Sequence, residues 1–208
     1  MSEVSTYTIF AGVNGAGKST FYNSLKHDND FGLRINTDEI VKELFNHDWK
    51  EPKAQFDAGK IAVKKIKECI ETKKNFNQET TLTGASIVSN IKKAKENGFK
   101  INLYYVGLES AALSLERVEK RRKLGGHGIP QDDIMRRYDR SFENLEKILP
   151  LCDRIEIHDN SDTGAFNLTK PMLYVDNGEI ISRGKSCPEY LSDILERYIA
   201  EKKQVDAL

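Results

Sequence analysis

The sequence predicts an α/β protein with a mostly parallel central sheet flanked by helices. Short apolar strands alternate with segments of helical periodicity, and strands that are joined through helices lie parallel to one another. A glycine-rich turn follows the first strand and opens the first helix, which is where parallel sheets place their ligand crevice. Near the end of the chain, an Asn-Gly turn between two apolar runs adds a C-terminal β-hairpin to this fold.

Each strand is predicted from a short run of apolar, β-branched or aromatic residues. Core strands are expected at 7–11, 33–36, 76–80, 100–107 and 154–158, and the hairpin strands at 172–175 and 179–182. The third strand is the weakest of these predictions, because Glu79-Thr80-Thr81 is polar for a core strand.

Each helix is predicted from apolar residues that recur every three or four positions. Helices are expected at 18–27, from 38 onwards, and at 53–74, 85–96, 109–124, 131–148 and 188–202. No internal repeat, low-complexity segment or interdomain linker interrupts this pattern. Residues 1–208 are therefore predicted to form a single domain.

The composition excludes several classes of protein. The chain has 208 residues and carries 32 Lys and Arg against 32 Asp and Glu, whereas nucleic-acid-binding domains usually have a basic excess. Cys69, Cys152 and Cys187 are odd in number and form no CxxC pair, which is typical of a reducing compartment. Neither a signal peptide nor an apolar stretch of about 20 residues is visible. We therefore expect a cytoplasmic protein that binds neither nucleic acid nor membranes.

The glycine-rich turn, Gly12-Val13-Asn14-Gly15-Ala16-Gly17-Lys18-Ser19, matches the P-loop pattern GxxxxGK[ST] in full. Its glycines allow several backbone N–H groups to point at phosphate oxygens, and the helix that follows adds its positive end. Lys18 is expected to reach the β- and γ-phosphates of ATP or GTP, and the Ser19 hydroxyl to ligate Mg²⁺. The expected nucleotide-binding residues are Gly12, Asn14, Gly15, Ala16, Gly17, Lys18, Ser19 and Thr20.

The rest of the chain favours a small-molecule kinase among the P-loop proteins. It contains neither the Asn-Lys-x-Asp motif with which GTPases recognise the guanine base nor the Leu-Ser-Gly-Gly-Gln signature of ABC ATPases. It also lacks a clear Walker B motif, the apolar run followed by Asp-Glu that is typical of ATPases. A kinase needs only a P-loop, a carboxylate near the acceptor hydroxyl, and arginines around the phosphoryl group that is transferred.

Two carboxylates follow predicted strands, where side chains face the crevice of a parallel sheet. Asp38 follows the second strand, where it either activates an acceptor hydroxyl or only stabilises the helix N-terminus. Glu79 comes after residues 75–78, at the polar end of the weak third strand, where it binds Mg²⁺ through water, holds the acceptor, or opens a turn.

Six of the ten arginines lie between residues 117 and 140, on two predicted helices joined by a glycine-rich loop. This arrangement predicts a helical lid that closes over phosphates and covers about residues 117–140. Arg121, Arg136 and His127 of the lid loop are expected to join the P-loop in binding the nucleotide. The alternative is a solvated helical hairpin whose acidic residues pair with the arginines. The arginines are Arg117, Arg121, Arg122, Arg136, Arg137 and Arg140. Asp159-Asn160-Ser161, after the last core strand, is either an adenine contact or, more simply, a turn.

Together these motifs resemble the zeta-toxin family of P-loop kinases, in particular its small chromosomal branch. The resemblance spans residues 7 to about 161 and rests on the P-loop and on three blocks that are more particular to this family. The three blocks are Ile35-Asn36-Thr37-Asp38-Glu39-Ile40, Glu79-Thr80-Thr81-Leu82-Thr83-Gly84 and Gly125-Gly126-His127-Gly128-Ile129-Pro130. It implies an ATP- or GTP-dependent phosphotransferase. Better-studied members phosphorylate UDP-N-acetylglucosamine, so it also implies a UDP-amino-sugar acceptor and a separate antitoxin protein.

The resemblance also implies roles for individual residues. Asp38 matches the catalytic base, Lys18 the P-loop lysine, Glu79 and Thr81 acceptor-binding positions, and Arg121 the first lid arginine. One position departs from the family pattern, since His127 stands where a second lid arginine is expected. Arg136 or Arg137 is expected to replace it, and Arg137 is our choice for the catalytic role.

Two other functions fit the same residues. The first is a kinase that acts on a different small metabolite, such as a nucleoside, an antibiotic or another sugar. The second is a nucleotide-dependent switch that binds a protein partner, in which the P-loop is essential and Asp38 is not.

Overall fold

The structure is a computed structural model that describes residues 4–44, 52–125, 128–162, 170–184 and 187–205. Its strands are β1 (Thr6–Gly12), β2 (Leu33–Asn36), β3 (Phe76–Thr80), β4 (Lys100–Gly107), β5 (Arg154–Asp159), β6 (Leu173–Asp176) and β7 (Glu179–Arg183). Its helices are α1 (Lys18–Leu25), α2 (Thr37–Leu44), α3 (Pro52–Glu71), α4 (Ile87–Glu96), α5 (Ala111–Lys123), α6 (Gln131–Ile148) and α7 (Glu189–Val205), and a 3₁₀ turn spans Leu149–Leu151. None of the described helices combines the length and the apolar character needed to cross a membrane.

All seven strands form one sheet in the order β2-β3-β1-β4-β5-β6-β7. The first five strands are mutually parallel, whereas β6 and β7 continue the sheet as an antiparallel hairpin. This confirms the predicted α/β fold class, including the C-terminal hairpin. Because the five parallel strands end at one edge of the sheet, the loops that follow them meet there.

The weakest predicted strand, β3, proves to be internal to the sheet, between β2 and β1. Its first two residues are buried, and its polar end, from Gln78 to Thr80, is partly exposed at the ligand edge. In the ladder, Phe10 of β1 lies opposite Glu79 of β3 and opposite Tyr104 of β4. The polar residues that weakened the strand signal are therefore at the crevice.

Several predicted helix ends differ from the structure by a few residues. The third helix was expected to reach residue 74, but it ends at Glu71. Lys73 then takes a left-handed backbone conformation with φ 54°, which an α-helix does not contain. The helices expected from 85 and 109 begin at Ile87 and Ala111, preceded by Ser86 and Ser110. The Ser110 hydroxyl accepts the Leu113 N–H, so serine capping sets this boundary.

The sheet separates two apolar clusters. Successive β1 residues point to opposite faces, so Tyr7, Ile9 and Ala11 join the larger cluster while Phe10 joins the smaller one. The larger cluster contains residues of α2, α3, α4, α6 and α7. The smaller cluster lies beneath α1 and is aromatic, with the Phe10 ring stacked on Tyr104 at 5.1 Å and edge-on to Phe21 at 6.4 Å. The helix that begins at the P-loop is thus fixed to the sheet by ring packing.

Gly12 ends β1 at the point of closest approach to β4. A Cβ atom at this position would lie 2.1 Å from the carbonyl oxygen of Val106, and the residue has φ 144°. Only glycine combines this backbone conformation with so close a neighbouring strand. The first glycine of the P-loop motif is therefore required by the sheet as well as by the loop.

We expect Gly12→Ala to lower the free energy of unfolding by about 2–4 kcal/mol, because the added methyl group meets backbone that cannot move aside. The matched control is Gly59→Ala in α3, where an added Cβ has no neighbour within 4 Å. That change should stabilise the protein by about 0.5–1 kcal/mol through helix propensity. Urea unfolding of the two variants measures this difference in stability. Equal midpoints would contradict the conclusion that the sheet requires glycine at position 12.

Candidate active site

A cleft of about 940 Å³ opens at the edge where the parallel strands end. It brings together most of the residues that the sequence nominated. The nominated residues that line it are Asn14, Gly15, Gly17, Lys18, Ser19, Thr20, Asp38, Glu79, Thr81, Arg117, Arg121, Arg136 and Arg137. Gly12 and Ala16, which also belong to the P-loop, are buried and do not line the cleft. His127 lies outside the described residues.

The P-loop joins β1 to α1 in a conformation that depends on glycine. Gly15 and Gly17 have φ 73° and 94°, and Gly17 is the N-cap of α1. The first turn of α1 itself contains no acidic residue, and its positive end faces the cleft, where the Glu79 carboxylate accepts the Ser19 hydroxyl. The Lys18 ammonium group folds back and donates to the Val13 carbonyl oxygen at 3.1 Å. This is the geometry of an anion-binding cradle.

Neighbouring elements hold the loop from behind. The buried Ser114 hydroxyl of α5 donates to the Asn14 carbonyl oxygen at 2.6 Å. The Asn160 side-chain amide donates to the Ala16 carbonyl oxygen at 2.9 Å. A Cβ at Gly15 would lie 3.0 Å from the Arg117 Cβ, so α5 packs directly against the loop. The cradle is therefore formed before any ligand arrives.

Asp159 ends β5, and side-chain hydrogen bonds hold the Asn160-Ser161 segment that follows it. The Ser161 N–H and hydroxyl both donate to the Asp159 carboxylate, which also accepts the Tyr190 hydroxyl at 2.6 Å. Arg117 donates to the Ser161 and Asp162 carbonyl oxygens at 3.4 and 3.3 Å. Arg117, which the sequence places among the lid arginines, thus lines the cleft and also joins α5 to this segment beside the P-loop.

Lys18 lies in the combined field of several charges. Burial of its ammonium group lowers the pKa, while the carboxylates of Glu79 and Asp38 raise it and Arg121 lowers it further. The two carboxylates and the arginine are thus close enough to act on the same ammonium group. These residues come from four separate segments of the chain.

Glu79 and Ser19 meet at the mouth of the P-loop. The Ser19 hydroxyl donates to Glu79 Oε1 at 2.6 Å, while Arg34 Nη2 contacts Glu79 Oε2 at 2.6 Å. Hydroxyl and carboxylate oxygens are ligands that Mg²⁺ accepts. Within the described ranges, no cluster of three or more His, Cys, Asp or Glu side chains forms a metal site. A metal ion at Ser19 and Glu79 would therefore depend on phosphate oxygens and water for its other ligands.

Asp38 projects into the cleft from the first turn of α2. Its backbone N–H donates to the buried Asn36 Oδ1 at 2.9 Å, and Asn36 Nδ2 donates to Glu39 Oε1 at 3.3 Å. Asn36 therefore fixes the turn from β2 into α2, and with it the position of Asp38. Asn36 belonged to the predicted strand, and nothing in its sequence context distinguished it as a site residue.

The Thr81 hydroxyl lies in the strained loop that follows β3. Leu82 has φ 64°, which is uncommon for a branched residue, and it is fully buried. Its carbonyl oxygen accepts the Asn144 amide at 2.7 Å, and the Thr81 and Thr83 hydroxyls lie 2.8 Å apart. Burial of Leu82 and the bond from α6 thus hold the two threonines at the cleft.

The predicted lid helices carry arginines into the cleft, but these arginines are already paired. Arg136 and Arg137 share one carboxylate, Asp133, at 2.7 and 3.3 Å, and the hydrogen bond from Arg136 is the main cause of the lowered pKa of Asp133. Arg122 pairs with Glu119 at 2.9 Å outside the cleft. Arg136 and Arg137 therefore line the cleft and make ion pairs on their own helix, while closure of a lid over phosphates stays a prediction.

The sequence matches a family model and a known protein. The family model described as Zeta toxin matches residues 3–170. An uncharacterized protein of Haemophilus influenzae is 36% identical over 130 residues, which cover 62% of this chain and 89% of that protein.

Solved structures share the fold at low sequence identity. The PezAT chromosomal toxin-antitoxin system of Streptococcus pneumoniae contains a chain with a TM-score of 0.55 and 17% identity, over 97% of this chain and 88% of that one. AvrRxo1-ORF1:AvrRxo1-ORF2 with ATP gives a TM-score of 0.64 and 15% identity, over 95% of this chain. The match spans only 64% of the length of that second neighbour.

We expect Ser114→Ala to lower the free energy of unfolding by about 1–3 kcal/mol, because it leaves the buried Asn14 carbonyl oxygen without its donor. The control is Ser89→Ala, which removes an exposed hydroxyl bonded to the Ser86 carbonyl oxygen at 2.9 Å. That change should stay within about 0.5 kcal/mol of the parent. Chemical denaturation compares the two, and an equal loss in both variants would refute the anchoring role.

Proposed function

This chain belongs to the zeta toxin family, and we propose that it is an ATP-dependent kinase that phosphorylates a hydroxyl group of a small molecule. The observation that carries the proposal is the single cleft that unites a P-loop, the carboxylate of Asp38 and the lid arginines. These are the groups that phosphoryl transfer requires, because its catalysis consists of positioning and charge stabilisation.

On the nucleotide side, the P-loop residues from Gly12 to Thr20 would bind the phosphates of ATP or GTP. Ser19 and Glu79 would hold Mg²⁺, because their hydroxyl and carboxylate oxygens meet at the N-terminus of α1. When bound, Mg²⁺·ATP supplies the phosphoryl group and neutralises part of its charge. Lys18 adds a positive charge from the P-loop, and withdrawal from Val13 would free it for a phosphate oxygen.

On the acceptor side, Asp38 orients the hydroxyl and accepts its proton. It is exposed in the cleft, and its backbone is fixed by Asn36, as a positioned base requires. Arg121 and Arg137 would stabilise the negative charge of the transferred group. Arg137 suits this role better than Arg136, because its side chain is 32% exposed against 64% and so is more constrained.

The acceptor that we propose is UDP-N-acetylglucosamine or a related sugar nucleotide. The cleft volume lies near the upper end of the range for small-molecule sites, which leaves room for two substrates. Thr81 is the proposed acceptor contact. Glu79 was also assigned to the acceptor by resemblance, but Ser19 and Arg34 occupy its two oxygens, which favours the metal side.

A separate antitoxin protein is the proposed macromolecular partner. A structural neighbour comes from a chromosomal toxin-antitoxin system, and the family assignment supports the same arrangement. An antitoxin that covers the cleft would neutralise the kinase without altering its residues.

We expect Asp38→Asn to reduce phosphoryl transfer by about 10²–10⁴-fold with little change in ATP affinity, because it removes the base and leaves the P-loop intact. Lys18→Ala should instead weaken ATP binding. The control is Asp193→Asn, an exposed acid of α7 outside the cleft. Nucleotide titration and turnover assays separate these effects. If Asp38→Asn kept full function while Lys18→Ala abolished it, the protein would be a nucleotide switch and not a kinase.

We expect UDP-N-acetylglucosamine, incubated with ATP, Mg²⁺ and this protein, to gain the mass of one phosphoryl group. Mass spectrometry of the reaction measures this directly, with Asp38→Asn as the inactive control. A set of nucleosides, sugars and aminoglycosides in parallel reactions covers the alternative acceptors. Phosphorylation of one of these, with none of the UDP-sugar, would reject the sugar-nucleotide acceptor and retain the kinase.

A further inference from the structure

Arg34 of β2 lies behind the cleft wall, and neither the motifs nor the catalytic scheme above uses it. Its side chain is only 15% exposed. The guanidinium group contacts three polar side chains at once: Nε lies 2.8 Å from Glu39, Nη2 2.6 Å from Glu79, and Nη1 3.2 Å from Asn77. Its central carbon also lies 3.6 Å from the centre of the Tyr22 ring. Stacking and hydrogen bonding together fix the plane of the group.

Each of these contacts leads to an element that carries a proposed active-site residue. Tyr22 belongs to α1, which begins with Lys18 and Ser19. Glu79 is the next-to-last residue of β3, and Glu39 follows Asp38 in the first turn of α2. One guanidinium group therefore links the metal side of the cleft to the base.

We propose that Arg34 is a positioning residue that holds the Glu79 carboxylate so that its second oxygen faces Ser19 and the Mg²⁺ site. The inference rests on the proposed function, because it assumes that Mg²⁺·nucleotide binds at Ser19. Arg34 engages Oε2 and leaves Oε1 to accept the Ser19 hydroxyl at 2.6 Å. Groups of this kind, which orient a ligand without touching the metal, set the affinity of many metal sites.

The need for such a clamp follows from the surroundings of Glu79. Its side chain is 9% exposed, so its charge requires a close partner. The Glu79 carboxylate also lies close enough to Lys18 to raise the pKa of its ammonium group. Without Arg34, Glu79 would turn towards Lys18, which would remove both an oriented oxygen from the metal and an ammonium group from the phosphates. A lysine at position 34 would keep the charge but not the three-way geometry.

The test measures nucleotide binding instead of turnover. The full chain is titrated with mant-ATP, a fluorescent ATP analogue, in Mg²⁺ and again in EDTA, and the ratio of the two dissociation constants gives the benefit of Mg²⁺. We expect Arg34→Met to reduce this ratio by about 10–100-fold while the EDTA value changes little. Arg34→Lys should restore only part of the benefit.

The matched control is Arg154→Met. Arg154 of β5 also donates two N–H groups to a carboxylate, Glu156 at 2.7 and 3.2 Å, and lies over an aromatic ring, but it is outside the cleft. Its removal should leave the Mg²⁺ ratio unchanged. A double variant tests the route of the effect: in a Glu79→Gln background, Arg34→Lys should no longer alter the ratio.

The outcomes are distinct. If the Arg34 variants keep the parent's ratio of dissociation constants, whether they bind mant-ATP as tightly as the parent or more weakly under both conditions, Arg34 is structural only and the inference is wrong. If Arg34→Met does not fold, Arg34→Lys decides the question by the same ratio, and an unchanged ratio overturns the inference. Failure of the parent chain to bind the nucleotide under either condition would overturn the proposed function itself.

Discussion

The backbone ladder that places β1 between β3 and β4 is the constraint on which the site depends. It sets Phe10 opposite Glu79 on one side and opposite Tyr104 on the other. Because β1 must end beside Val106 at a glycine, the chain turns there into the P-loop and returns as α1. That return brings Ser19 to Glu79, although the two are 60 positions apart in the sequence. Without the pairing of β3 with β1, the P-loop and this carboxylate would not lie beside each other.

The site is held together by mutual compensation of charge. Lys18, Glu79 and Arg34 all lie partly or largely out of water, where an isolated charge costs several kcal/mol. Each has partners within the same region, and each partner belongs to a different element. The hydrogen bonds of Ser114, Asn36 and Asn144 add directional support to the loops that carry these charges. The resulting framework positions the reactive groups before a substrate binds, which reduces the reorganisation required during the reaction.

The sequence predicted the P-loop and the α/β fold well because both depend on local patterns. Asp38 was also within reach, since the residue after a parallel strand faces the crevice whatever the strand order. Arg34 was not, because its partners Asn77 and Glu79 are 43 and 45 positions away and become neighbours only when β2 pairs with β3. The polarity of β3 was misleading as a strand signal for a related reason: Glu79 and Thr80 serve the cleft and not the core. The pairing of Arg136 and Arg137 with Asp133 was also within reach, because residues three and four positions apart on a predicted helix share a face.

That single carboxylate sets a threshold for ligands at the lid. Asp133 forms ion pairs with the guanidinium groups of both Arg136 and Arg137. A bound molecule that displaces Asp133 must therefore offer at least two well-placed negative oxygens to replace these two ion pairs. A ligand with one carboxylate gains nothing from such an exchange, whereas a polyphosphate gains from each arginine. If the lid contacts phosphates as proposed, these ion pairs would favour ligands with a high density of negative charge, and α6 alone would supply that preference.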